Sequence, residues 1–355
     1  MTRIAKSFAA ALLLLCCMAL GGCSILPGED RSFPVCLGLH ASGDTWQASV
    51  RISTYKSPGE YTTVTASGKS LAEAMTLLDA SSPIRLHYGH VRLIVFSYEL
   101  ASSDRLAFAV ESLARLGTFR ADAALCATED DIPALFDALT PASGTRLSKH
   151  ITVLLESRIG LGVIPDTTLG DWRRMGERQS PLLIAAALGK EGGSTGMADF
   201  ADEMNAGDAQ VQFGGAYLVS QTGKVTGRLT MSEHQVLRLM QGRLDKGALA
   251  AGEHALTLLE SSAKAELDAN ENAARLTVGM RYMHADQSED GVRATVTEAV
   301  LQVIGKLAAA NCDALGLGRQ AIMQAADWAQ WRQLAWPEKY PALTWHVAVD
   351  AVSAR

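Results

Sequence analysis

The 355-residue chain is 48% apolar and 20% charged, enough for a packed core and too apolar for a disordered chain. Its formal net charge is −6 and it has no basic block, so nucleic acid as a partner has no electrostatic support. Beyond its first two dozen residues no apolar run approaches the roughly 20 residues that a membrane helix needs.

The chain opens with Arg3 and Lys6, then an unbroken apolar run from Phe8 to Leu20. A charged region, an apolar region and small residues at a cut site are the layout of a secretory signal. Leu20-Gly21-Gly22-Cys23 resembles a bacterial lipobox, in which the cysteine is acylated and becomes the first residue of the mature protein. Cys23 is therefore the expected lipidation site. An ordinary signal followed by a chance cysteine is the alternative. Ser24 to Arg31 reads as a polar tether.

Two strands are expected next, Phe33–His40 and Trp46–Ser53, joined at Ser42-Gly43-Asp44. The second alternates, with Trp46, Ala48, Val50 and Ile52 on one face. Tyr61–Ala66 is a further strand. Ser67-Gly68-Lys69-Ser70 then opens a helix with Leu71, Met75 and Leu78 at helical spacing, Ser70 as N-cap and Glu73 three residues on. Gly68-Lys69-Ser70 also ends like a P-loop, but the first glycine of that motif would fall at Thr63.

Val91–Phe96 is the most strand-like run and is expected at the centre of a sheet. A helix from Ser103 to Leu116 follows, with Leu106, Val110, Leu113 and Leu116 on one side and Gly117 as its C-cap. Ala121–Ala127 reads as strand. Asp130–Leu139, Ser148–Arg158 and Thr167–Gly176 read as helices, and Pro181–Leu188 as an apolar strand.

Residues 189–210 are rich in Gly, Ser, Asp and Ala without periodicity, and read as the main linker. Val211–Val219 and Lys224–Leu229 form a hairpin pattern around Gln221-Thr222-Gly223. Ser232–Met240 is a helix capped by Ser232 with Gln235 at the third position. Ala255–Ser262 and Arg275–His284 are strands, Thr297–Leu307 and Arg319–Gln333 helices, and Thr344–Val352 an alternating terminal strand. The expected class is α+β: mixed α/β lobes with several mixed sheets flanked by helices, in two to three domains. The expected division is a leader of 1–22, a lipidated tether of 23–32, an N-terminal domain of 33–188 with sub-lobes meeting near 140, the linker of 189–210, and a C-terminal domain of 211–355.

Motifs that mimic chemistry have plainer readings. Gly192-Gly193-Ser194-Thr195-Gly196 matches G-x-S-x-G, but no strand runs straight into it and no helix leaves it. Gly316-Leu317-Gly318 mimics a dinucleotide fingerprint, yet a helix precedes it, so the glycines read as a break between helices. His87 and His90, placed on a strand, would point to opposite faces, and no ligand set accompanies them. Trp328, Trp331 and Trp336 at near-helical spacing read as core or interface. Cys36, Cys126 and Cys312 are an odd set in apolar contexts, so buried free thiols are expected. No catalytic residue, cofactor site or metal site is expected.

Several stretches, in order, resemble one family. Thr63–Met75, "TVTASGKSLAEAM", is similar to the G-K-T/S stretch of the Ger(x)C, or GerAC-like, spore germination lipoproteins. Ser82–Ala101 is similar to that family's most specific segment, Phe213–Gly242 to the hairpin and helix opening its C-terminal domain, and Cys312–Ala351 to its D-x-l-G-x-G helix and closing strand. The resemblance implies a non-catalytic lipoprotein subunit of a nutrient germinant receptor. It would sit on the outer face of the spore inner membrane beside polytopic A-type and B-type subunits. The rival class is a solute-binding lipoprotein of a transport system, which requires a cleft lined by a few polar groups.

Overall fold

A computed structural model describes residues 31–53, 60–141, 145–175, 179–189, 211–244, 246–251, 254–268, 272–283, 288–325 and 327–354. Cys23 and the Gly192–Gly196 motif lie outside the described residues.

The larger unit is built on β2 (Cys36–Ser42), β3 (Thr45–Ser53), β4 (Tyr61–Gly68), β6 (Leu93–Ser97), β7 (Ala124–Thr128), β8 (Leu182–Leu188), β9 (Val211–Val219) and β10 (Val225–Leu229). They form one eight-stranded sheet in the order β10-β9-β8-β7-β6-β2-β3-β4. β2, β6, β7 and β8 run parallel, and both flanks are antiparallel. Two short strands, β1 (Arg31–Ser32) and β5 (Arg85–Leu86), pair separately.

The apolar pattern dictates this layering. Every residue of β6 is buried: Ile94 and Phe96 enter one core, Leu93 and Val95 the opposite one. A strand covered on both faces must read as a continuous apolar run, as the expected central position requires. On the first face lie α1 (Leu71–Ser81), α2 (Tyr98–Ala101), α3 (Arg105–Leu116) and α6 (Leu169–Met175). On the second lie α4 (Ile132–Ala138) and α5 (Leu147–Gly160).

Local signals set the helix ends. The Glu73 N–H donates to Ser70 Oγ at 3.1 Å, and the Glu73 carboxylate accepts the Lys69 N–H at 2.7 Å. Gly68-Lys69-Ser70 is thus a helix start. α3 stops at Gly117, whose φ of +66° is the left-handed conformation that favours glycine. Leu116, expected on the buried side, is 57% exposed, because the chain turns away there.

The smaller unit is a four-stranded sheet, β11 (Gly247–Ala251), β12 (His254–Asp268), β13 (Ala273–Met283) and β14 (Thr344–Ser353), in that order. α7 (Met231–Met240) and α8 (Glu289–Ala309) pack on one face, with Val292, Val296, Val300, Val303 and Leu307 forming the stripe of α8. α9 (Leu317–Gln324), α10 (Trp328–Gln333) and α11 (Trp336–Lys339) close a satellite core with Leu267 and Ala274.

Three expectations need correction. α7 is capped by Thr230, which forms a reciprocal box with Glu233; Ser232 is inside the helix. α8, expected over Thr297–Leu307, begins already at Glu289, because Ser288 Oγ accepts the Gly291 N–H at 3.2 Å and caps it there. The single helix expected over Arg319–Gln333 is two, since Asp327 Oδ1 accepts the Gln330 N–H at 2.8 Å and starts a new one.

The eight-stranded sheet crosses the expected linker. β8 precedes residues 189–210 and β9 follows them, paired antiparallel. Tyr217 and Val219 of β9 fill the core of the larger unit, while Ala216 and Leu218 fill that of the smaller.

Candidate functional site

The segment Ala310–Gly318 joins the two units. It leaves α8 through Asn311, whose φ is +48°, and reaches α9 through Gly316, whose φ is +72°. Five successive carbonyls in this short turn are taken by side chains and backbone from elsewhere. Thr226 Oγ1 donates to Ala310 O at 2.7 Å, and the Gln221 N–H to Asn311 O at 3.1 Å. Tyr340 Oη donates to Cys312 O at 2.9 Å, and the Ser180 N–H to Asp313 O at 3.0 Å. Gln179 and Gln241 amides both donate to Ala314 O at 3.0 Å. Buried backbone groups need partners, and here the partners come from both units.

Asp313 lies at the centre and is 1% exposed. Its Oδ1 accepts the Leu317 N–H at 2.9 Å. Its Oδ2 accepts the Gly318 N–H at 2.6 Å and the Trp336 indole N–H at 3.3 Å. Burial raises its pKa to about 6 against the pull of these donors. A side chain on Gly318 would strike the Trp336 ring, since a Cβ there would sit 2.7 Å from Nε1. Gly316 and Gly318 therefore serve a helix start and a close indole contact, as the helix-break reading expects.

A cavity of about 480 Å³ opens beside this turn, between Ala107 and Glu111 of α3, Trp172 of α6, the β9–β10 turn and Trp336. It lies where the two units meet, the usual place for a ligand recess. Its polar walls are already engaged: Gln179, Ser180 and Gln221 bond to Ala314, Asp313 and Asn311.

A second recess of about 500 Å³ lies at the carboxyl ends of β6 and β7, beside β2. Open α/β sheets place ligands at such ends. Its acids are used locally, however. Glu129 accepts the Tyr217 hydroxyl at 3.0 Å, Asp130 accepts the Leu188 N–H at 2.7 Å, and Asp131 caps α4. His40 Nδ1 lies 2.9 Å from Ser97 Oγ.

The other residues marked in the sequence take separate places. Cys36, Cys126 and Cys312 are free and buried. Burial pushes the Cys36 thiol up to about 12, tempered by Arg51, and raises the other two as well; such thiols are poor nucleophiles. Trp331 and Trp336 stack in the satellite core at 6.4 Å, whereas Trp328 is 59% exposed. His87 and His90 do not sit on a strand. A 3-10 turn over Tyr88–His90 brings both imidazoles onto the Phe33 ring, at 5.6 and 4.5 Å. Among the described residues no group of three or more His, Cys, Asp or Glu is arranged to hold a metal. No described helix is long and apolar enough to cross a membrane.

Residues 27–185 match the family model of the spore germination protein N-terminal domain. No curated protein sequence matches the chain. Among solved structures, the chain is similar to the crystal structure of the GerBC protein. Identity is 14% and the TM-score 0.52, with 90% of this chain and 97% of that one covered. At this identity the likeness concerns the fold. Residues 27–185 thus carry the N-terminal domain of the spore germination proteins, and a fold shared with GerBC extends through most of the remainder.

Proposed function

We propose that the chain is the lipid-anchored C subunit of a nutrient germinant receptor, acting by position and assembly and not by catalysis. The observation that carries this reading is the germination-protein domain over residues 27–185, within a fold shared with GerBC along 90% of the chain. The lipobox-like Leu20–Cys23 stretch supplies the anchor. A diacylglyceryl group contributes two buried chains, which suffice for stable attachment.

The body then stands just outside the spore inner membrane and offers its surfaces to two polytopic subunits. The Asp313 turn supports this role physically. It couples the two units through a dense set of bonds, so a contact on one is transmitted to the other as a rigid displacement.

Cys23→Ala should move the protein from the membrane fraction of spores to the soluble fraction and abolish nutrient-triggered germination. Spore formation should be unaffected. Retention in the membrane fraction would refute the anchor, and normal germination of a deletion strain would refute the receptor role.

The cavity beside Asp313 favours a second reading, a solute-binding lipoprotein. Against it stands the use of that cavity's amides and hydroxyl in holding the two units together.

A further inference from the structure

We propose that the free edge of β14 is an interface for a second copy of this chain, the two β14 strands pairing antiparallel about a two-fold axis at Ala348. The inference stands on strand geometry and goes beyond the receptor reading, on which it does not depend.

β14 is the end strand of the smaller unit's sheet, with no strand beyond it among the described residues. Its 10 residues keep one register with β13, from Thr344 opposite Ala273 to Ser353 opposite Tyr282, without a bulge. It also holds no proline and no lysine. Bulge, proline and lysine are the usual devices that keep an edge strand solitary.

The hydrogen bonds show which groups face outward. The Thr344 N–H donates to Asn272 O at 3.1 Å and the Ala354 N–H to Tyr282 O at 2.8 Å. In a parallel pair this turns the even-numbered residues of β14 toward β13 and the odd-numbered ones away. At the far end the outward groups are used by α8. The Ser353 N–H donates to Glu289 Oε1 at 3.0 Å, and Arg293 Nη2 donates to Ala351 O at 3.5 Å. The outward N–H and C=O groups of Trp345, Val347 and Val349 have no partner among the described residues.

The side chains tell the same story. Trp345, Val347 and Val349 point to the core of the smaller unit, yet are only half-buried, because no strand covers them from the edge side. Leu301, eight residues after Arg293 and so on the same side of α8, is 47% exposed. A strand added to β14 would cover the three half-buried side chains, and the α8 that comes with it would face Leu301.

The strand's own sequence selects a second copy as that occupant. With the axis at Ala348, Val347 faces Val349 of the second copy, Trp345 faces Ala351, His346 faces Asp350 and Thr344 faces Val352. The odd-numbered pairs are those with outward groups, so they exchange both N–H···O bonds. Ala351 O, already touched by Arg293, keeps a second lone pair for the Trp345 N–H. On the exposed face the His346 imidazole meets a carboxylate that is held only 3.9 Å from Arg293 of its own chain. The bulky indole meets the small Ala351, and Thr344 and Val352 form a β-branched pair. Moving the axis by one residue destroys this match: at Val347, Asp350 would face Thr344 and Trp345 would face Val349; at Val349, Asp350 would face Ala348 and His346 would face Val352. Such a self-matching patch is what an isologous interface requires.

The test uses the chain from residue 23 onward with Cys23→Ala, which keeps every described residue and removes the acyl chain. Sedimentation equilibrium over a concentration series should give a monomer–dimer equilibrium. His346→Asp sets carboxylate against carboxylate and should weaken the dimer at least about tenfold. Asp350→Lys removes the same match and should also weaken it. An equimolar mixture of these two variants should dimerise again, since each carboxylate then faces a histidine or a lysine. Both side chains are exposed, so the melting temperatures of the isolated variants check that each is folded. Ala348→Cys, facing its own copy at about 5 Å between Cβ atoms, should give a disulfide-linked dimer on mild oxidation. Thr277→Cys on the same face of β13 should not, and the native thiols of the described residues are buried. A monomer at every concentration, no recovery on mixing, or equal cross-linking of the two cysteine variants overturns the proposal. So does cross-linking of Ala348→Cys in spore membranes to a different protein and not to itself, which would assign the edge to a strand of that partner.

Discussion

Burial of the Asp313 carboxylate sets up a pH effect with a definite sign. Its pKa stands at about 6 in the fold, against about 3.9 for an ordinary aspartate. At neutral pH the charged form is held in the core at a cost of about 3 kcal/mol relative to the unfolded chain. As pH falls through 6 the folded form takes up the proton first, so this contribution to stability rises until about pH 4. His234 works in the opposite direction. Burial lowers it to about 4, against the pull of its bond to the Gly162 carbonyl. It must gain a proton on unfolding, so its contribution is lost as pH falls from about 6.5 toward 4. The two groups offset each other in wild type, and a variant separates them. Asp313→Asn should cost about 1–3 kcal/mol near pH 5, because an amide cannot accept all three N–H groups. It should also lack the relative gain of about 1–2 kcal/mol between pH 7 and 4.5. Urea titrations at several pH values would show this; equal pH slopes for wild type and variant would remove Asp313 from the account.

At the scale of elements, α4 packs on β2 so closely that only glycine fits at one position. Gly38 has no side chain, and a Cβ there would lie 2.2 Å from Ile132 Cγ2 and 3.2 Å from the Phe136 ring. Gly38→Ala should push α4 outward and cost about 1–3 kcal/mol. Ile132→Ala removes the obstructing methyl, so the double variant should lose less than the two single losses combined. A lower denaturation midpoint at constant slope is the readout, and strict additivity would contradict the close approach. Elements were legible in the sequence where one local signal decided them. The two-sided burial of β6 shows as an uninterrupted apolar run, and Gly117 marks the end of α3. The site was less legible. Asp313 draws on Trp336, 23 residues later, and on Ser180, 133 residues earlier, and no window of sequence holds all three. Its bonds to Leu317 and Gly318, four and five residues on, also lie beyond the two- or three-residue reach of a capping side chain, and the N-cap is Gly316. His87 and His90 were misplaced for a different reason. Strand periodicity assigned them to opposite faces, whereas the 3-10 turn at Gly89 brings them to one aromatic ring.

For the whole molecule, the pairing of β8 with β9 matters more than the composition change between them. Residues 189–210 look like a boundary because they are small and polar. Strand order, however, depends on contacts far apart in the chain, which composition does not report. The larger unit needs β9 and β10 to cover β8, and β9 also contributes Ala216 and Leu218 to the smaller unit's core. Expressed alone, residues 31–189 would expose the long apolar flank of β8 and should aggregate. Supplied in trans as a second polypeptide, residues 211–355 should complement it, the two pieces co-eluting as a one-to-one species that melts cooperatively. A protease site engineered between 190 and 210 would then sever the backbone and leave the particle whole.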